Sequence, residues 1–177
     1  MKVEPEEILL NMISSFKSGL INDNIKWTSI DNIHITLVFL GDTEDNVTDK
    51  IRLMLNEKCN GSGKFKIHLK GCGIFRSMND PRIIWTGIET SDKLMYLNDT
   101  VQNGLKQLGI KLEDRPYNPH LTLGRIKHLR DIKILKSLLE QFRNSEIQVV
   151  PVNEVILYES ILLQSGPIYK PIEKFSL

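Results

Sequence analysis

The sequence predicts an α+β protein built on antiparallel sheet. Three observations lead there. Apolar residues recur at strand and helix periods by turns along the chain, and several strand candidates are joined too tightly for parallel crossovers. Two His-x-Thr strands also repeat one another with matching flanks, which implies two equivalent lobes. At 177 residues the chain is read as a single domain, residues 1–177, with two pseudo-symmetric lobes that each supply one of those strands.

Between Pro5 and Phe16 the apolar residues Ile8, Leu9, Met12, Ile13 and Phe16 fall at helical spacing. Pro5 suits a first helical turn, and Gly19 stands just past the expected end. Ile25–Thr28 is a short strand, and His34–Leu40 is a longer one stopped by Gly41-Asp42. Thr43 is placed to cap a helix whose stripe is Val47, Ile51, Met54 and Leu55. The Asn60-Gly61-Ser62-Gly63 turn leads into a strand over Phe65–Leu69, after which Gly71-Cys72-Gly73 reads as a bulge or turn. Ile83–Ile88 is another strand. Ser91 then caps a helix with Leu94, Leu97, Val101, Leu105 and Leu108 on one face and Gly109 at its end. A proline-rich approach, Arg115 to Pro119, enters the strand His120–Ile126, and a helix striped by Ile132, Leu135, Leu138, Leu139 and Phe142 follows. Ile147–Val152, Glu154–Glu159 and Ile168–Phe175 complete the strands.

With 41% apolar and 25% charged residues the composition is that of a folded soluble protein. Lys and Arg number 23 against 22 Asp and Glu, so no large electrostatic footprint for duplex nucleic acid is expected, although a local basic rim is compatible with that balance. Cys59 and Cys72 lie outside metal or redox spacing and read as reduced, mostly buried thiols. No apolar run reaches membrane-spanning length, and the N-terminus is acidic where a signal peptide is basic; a cytoplasmic protein is expected.

The repeated segments are Asn32-Ile-His34-Ile-Thr36-Leu37 and Asn118-Pro-His120-Leu-Thr122-Leu123. With four histidines and eight threonines in the chain, random placement yields only about 0.2 His-x-Thr matches, so two with shared flanks are not an accident. Residues two apart on a strand share a face. Each histidine therefore projects with its threonine, while Ile35 and Leu37, or Leu121 and Leu123, point the opposite way towards covering helices. That pattern suits a sheet with one wet, cleft-lining face. Two such strands present two imidazoles and two hydroxyls to one bound group. Cleavage of a phosphodiester needs a base for the attacking water and an acid for the departing oxygen, and histidine, titrating near pH ~6.5, serves as either. Threonine hydroxyls can donate to the non-bridging oxygens, where charge accumulates.

A single His-x-Thr is ordinarily structural; pairing and shared flanks reverse that reading here. His68 and His128 lack the threonine and read as ordinary surface or strand histidines. No Asp/Glu/His cluster shows metal-ligand spacing, and there is no P-loop, dinucleotide fingerprint or nucleophile elbow, so neither metal nor cofactor is expected.

These motifs, together with Pro81-Arg-Ile-Ile-Trp-Thr-Gly87, Asp114 to Arg125 and Leu157-Tyr-Glu-Ser160, resemble the RNA 2′,3′-cyclic phosphodiesterases, also called 2′-5′ RNA ligases, of the two-histidine phosphoesterase superfamily. The resemblance spans nearly the whole chain. It implies a bilobal fold with two antiparallel sheets around a central cleft and helices outside. It further implies metal-free hydrolysis of RNA 2′,3′-cyclic ends to 2′-phosphates. By the same carry-over His34 is the proton donor, His120 the acceptor, and Thr36 and Thr122 hold the phosphate. Arg125 or Arg115 is implied as a further phosphate contact and Tyr117 as a base-stacking ring, each against a structural alternative. The partners implied are RNA ends or small cyclic nucleotides. Competing functions are 2′-5′ ligation, hydrolysis of other cyclic nucleotides, and a non-catalytic RNA-binding module.

One departure stands out. Similar proteins open with an apolar strand before the Pro-Glu-Glu of the first helix, whereas only Met1-Lys2-Val3 precedes Glu4 here. Met1–Val3 are expected to form at most a strand stub. The protein is expected to be a monomer, with self-association through the exposed edge as the alternative.

Overall fold

The computed structural model describes residues 1–89, 91–163 and 166–177. The described elements run α1 Glu7–Gly19, β1 Asn24–Trp27, α2 Asp45–Cys59, β2 Phe65–Ser77, β3 Asp80–Ile88, α3 Asp92–Gln107, β4 His120–His128, α4 Ile132–Phe142, β5 Glu146–Val152, β6 Glu154–Leu163 and β7 Gly166–Ser176. Five strands form one sheet in the order β1-β4-β3-β2-β5, and β6 pairs with β7 in a second; every neighbouring pair is antiparallel. This is the α+β class that the short connections require.

The helices cover the outer faces in two pairs. α1 and α4 pack together on β5 and β2, with Phe16 and Phe142 stacked at 5.8 Å. α2 packs on β6 and β7 and against α3, where Gly104 comes so close that a Cβ would sit 2.5 Å from Met54 Sδ. One continuous apolar core joins both halves. Among the described residues no helix is long and apolar enough to cross a membrane.

Local chemistry explains most boundaries. Ser91 caps α3 by accepting from Leu94 N at 3.3 Å, as expected, and Asp131 caps α4 through Lys133 N at 2.8 Å. Thr43 does not cap α2. Its hydroxyl donates to Gly41 O at 3.2 Å, and Glu44 occupies the cap position. Pro5, expected in the first turn, lies outside α1, ahead of the Glu6 cap, and Gly19, expected just past the end, is the last helical residue. β2 continues past Leu69 to Ser77 because Gly71, at φ +64°, absorbs a bulge there. Any Cβ at Gly71 would fall 2.4 Å from the Arg143 carbonyl oxygen.

The expected strand His34–Leu40 is the largest departure. Only two residues pair, His34 with Lys2 and Ile35 with Leu121. Met1–Val3 form the anticipated stub: Val3 N donates to Ile33 O at 3.2 Å and Ile35 N to Met1 O at 2.8 Å. Further along, side chains replace a neighbouring strand. The Tyr117 hydroxyl donates to Thr36 O at 3.2 Å, and Asn98 Nδ2 donates to Leu37 O at 2.7 Å. The backbone is thereby satisfied without a ladder. The alternation survives, with Ile33, Ile35 and Leu37 buried and His34 and Thr36 on the cleft side.

Asn98 is fully buried on α3 and also accepts from Gln102 Nε2 at 2.7 Å. Replacing it with alanine orphans the Leu37 carbonyl, and Asn98→Ala is expected to cost about 1–3 kcal/mol in chemical denaturation. Unchanged stability would show that the segment after Thr36 is held elsewhere.

Candidate active site

A single bridge fixes the geometry of the site. Ile35 and Leu121 are antiparallel partners, both fully buried. Antiparallel pairing sets the residue before one partner against the residue after the other. His34 therefore stands across from Thr122, and Thr36 across from His120, on the face opposite the core. All four line one cleft of about 740 Å³. The two expected motifs meet, although one rides a nine-residue strand and the other a two-residue pairing.

Both imidazoles are held in the same way. His34 Nδ1 lies 2.7 Å from Asn32 O, and His120 Nδ1 lies 2.8 Å from Asn118 O. A carbonyl oxygen only accepts, so Nδ1 carries the proton and Nε2 is left for chemistry. Thr36 Oγ1 is 3.2 Å from His34 Nε2. It donates to the neutral ring and accepts from the imidazolium. Each ring also meets an aromatic at a 4.6 Å centroid distance, Tyr169 of β7 at His34 and Phe75 of β2 at His120. Each sheet thus supplies one aromatic wall.

Burial lowers both histidines below their ordinary value, while the Nδ1 hydrogen bonds act in the opposite sense. Nearby cations lower them further: the Met1 ammonium, His120 and Arg125 act on His34, and Arg125 and Arg115 act on His120. Arg125 reaches the cleft through an irregularity in β4. Trp85 pairs with Thr122 but Ile84 pairs with Gly124, which leaves Leu123 as an extra residue and shifts the alternation. Among the described residues Arg125 makes no ion pair with a carboxylate, whereas Arg115 is bound to Glu113. Tyr117 lines the cleft too, with its hydroxyl engaged by the Thr36 carbonyl.

The tethering carbonyls and the two aromatic walls escaped the sequence reading. Asn32 and Asn118 occupy the same place in both motifs, a signal that was visible. Phe75 and Tyr169 come from distant strands and carry no local signal. His68 and His128 are exposed, as expected of them. Cys59 and Cys72 are free thiols that burial pushes up to about 11 and about 12, so both stay protonated at neutral pH. Among the described residues no three His, Cys, Asp or Glu side chains gather as metal ligands would.

This fold and this paired-histidine cleft define a phosphoesterase of the two-histidine type, and comparison with known proteins narrows the class. Residues 31–161 match the 2′-5′ RNA ligase superfamily, and the chain belongs to it. It is 35% identical over 144 residues to an RNA 2′,3′-cyclic phosphodiesterase of Thermotoga maritima, covering 81% of this chain and 75% of that protein. It is 30% identical over 179 residues to an RNA 2′,3′-cyclic phosphodiesterase of Methanothermobacter thermautotrophicus, covering 100% and 97%. Among solved structures, the TT0787 protein of Thermus thermophilus shares the fold, with a TM-score of 0.80 and 23% identity over 99% of this chain and 94% of that one.

The site geometry sets the behaviour of the two rings in solution. Nitrogen-15 NMR of the imidazoles is expected to show both titrating below ~6.5, with the neutral-state proton on Nδ1. Arg125→Ala should move both midpoints upward, because removing a cation favours the imidazolium. A midpoint that fell on this substitution would contradict the electrostatic account.

Proposed function

We propose that this chain hydrolyses 2′,3′-cyclic phosphodiesters at RNA ends to 2′-phosphomonoesters, with His34 and His120 as the acid–base pair. The observation that carries this reading is the matched tethering of two imidazoles by Nδ1 at one cleft. Both leave Nε2 as the proton-transfer atom. In this reading the chain is one bilobal domain with a lobe behind each motif. It acts as a monomer, since both histidines and both threonines come from one chain.

Neutral His120 removes a proton from water as its oxygen forms a bond to phosphorus. The bond from phosphorus to the 3′ oxygen breaks, and the His34 imidazolium donates its Nε2 proton to that leaving oxygen. The phosphate remains on the 2′ oxygen. The proton has passed from one ring to the other, and exchange with solvent resets the pair. Thr36 and Thr122 donate to the non-bridging oxygens, and Arg125 offsets their charge. The family assignment supplies the donor and acceptor roles, and the crossed pairing of histidines with threonines suits either direction of transfer.

The reactive state holds one neutral and one protonated ring. Both values are lowered, so the two rings are neutral together at higher pH and the singly protonated pair fills as pH falls. The kcat/KM profile is expected to be a bell centred below ~6.5, with two apparent values that belong to the pair.

His34→Ala and His120→Ala should each lower turnover of a cyclic phosphate by about 10²–10⁴-fold while the fold survives. Thr36→Ala and Thr122→Ala should cost less, because one neutral donor remains. A chelator should leave the rate unchanged. Loss of turnover on chelation, restored by Mn²⁺ or Zn²⁺, would overturn the mechanism.

A further inference from the structure

Gln102 of α3 lines the cleft together with Val38, Phe39, Leu112, Glu113 and Tyr117. Its amide is not free to turn. The Leu37 carbonyl oxygen only accepts, so the fully buried Asn98 presents Nδ2 to it, at 2.7 Å. Asn98 Oδ1 is then the atom left for Gln102, whose Nε2 donates to it at 2.7 Å. Turning either amide over would set two acceptors against each other. This relay leaves Gln102 Oε1 as an unused acceptor on the cleft wall: among the described residues no group donates to it.

The surroundings of that oxygen are apolar or aromatic. Phe39 is 66% exposed although it borders the cavity. Tyr117 spends its hydroxyl on the Thr36 carbonyl and offers the cleft its ring. Glu113 adds a second acceptor, and the cation beside it, Arg115, is bound to it at 2.5 Å. Two acceptors repel a phosphate. Beside exposed aromatic faces they suit a planar ring that carries hydrogen-bond donors. The opposite wall at Phe75 and Ile83 is apolar and has nothing to read a ring edge. Position agrees with this. Leu37, where the relay begins, directly follows Thr36, the residue placed at the reacting phosphate. In a nucleoside 2′,3′-cyclic phosphate the base sits on C1′, next to the phosphate-bearing C2′, so it occupies the same cleft beside the reacting group.

We propose that Gln102 is a specificity-determining residue whose Oε1 accepts from the exocyclic amino group of the terminal base, so that cytosine, adenine or guanine is preferred to uracil. This rests on the phosphodiesterase reading above and deepens it by naming the class of base. Uracil presents two carbonyl oxygens flanking one N–H, and those oxygens meet the acceptors of this wall with no proton between them. The Asn98 relay matters because a freely turning carboxamide could present its NH₂ to uracil instead.

The test is kcat/KM for two pairs of nucleoside 2′,3′-cyclic phosphates. Cytidine and uridine are matched in ring size; adenosine and purine riboside differ by the amino group alone. In each pair the amino compound should be favoured about tenfold, as expected for one hydrogen bond. Gln102→Met keeps the bulk of the side chain and removes its hydrogen bonding, and both ratios should fall to near one. Asn98→Ala releases the amide and should lower them as well. Each ratio is taken on one protein preparation, so a variant that folds poorly loses turnover of both compounds alike and the ratio stays readable. Equal kcat/KM within either pair for the unaltered protein would overturn the proposal, and so would a preference that Gln102→Met leaves intact. Turnover of none of the four compounds would overturn the phosphodiesterase reading itself, and the base selection with it.

Discussion

Because Ile35 and Leu121 pair antiparallel and both point into the core, their neighbours have no choice of face. Each is a fully buried aliphatic side chain, a burial that contributes about 1.5–3 kcal/mol apiece. A slip of one residue in either segment would turn the histidines inward and expose the isoleucine or leucine, so hydrophobic burial enforces the register of the polar quartet. The geometry of the quartet is thus a by-product of core packing. Everything else near the site supports that crossing: the Met1–Val3 stub on one side of the His34 segment, and Tyr117 and Asn98 beyond it.

The two rings are alike where likeness matters and different elsewhere. Each has its Nδ1 on the carbonyl two residues earlier and an aromatic wall at 4.6 Å. Their surroundings diverge: His34 has Thr36 at its Nε2 and feels the Met1 ammonium, His120 and Arg125, while His120 feels Arg125 and Arg115. A pair with identical surroundings would have no built-in preference for which ring holds the proton. The unequal cation fields here supply a bias within a symmetric frame.

Much of this was legible in the residues. Period-two alternation in the two motifs placed both histidines and both threonines on one face, and repetition joined them at one cleft. Where the reading missed, nonlocal chemistry had replaced a regular element. His34–Leu40 has the β-branched and aromatic composition of a strand, yet past Ile35 its carbonyls find side-chain donors from α3 and from the approach to β4. A local pattern cannot reveal that substitution. Arg125 illustrates the converse case: strict alternation from Thr122 would turn it away, and the extra residue at Leu123 brings it back. The bulge at Gly71-Cys72-Gly73 was readable, because glycine there meets both a positive φ and a backbone carbonyl that leaves no room for a Cβ.

Charge explains how a nearly neutral protein engages a polyanion at one place. Basic and acidic residues almost cancel, at 23 and 22, and many surface cations are spent on carboxylates. Arg52 meets Asp49 and Glu173, Lys70 meets Glu89 and Glu146, and Arg76 and Arg82 share Asp80. The near-zero net charge gives little long-range attraction for RNA, and within the cleft Arg125 lies near two imidazoles with no carboxylate ion pair among the described residues. The same cations that lower the two rings also attract a phosphate, and a bound phosphate, being anionic, favours the imidazolium. In the mechanism proposed above, substrate binding then helps to create the singly protonated pair.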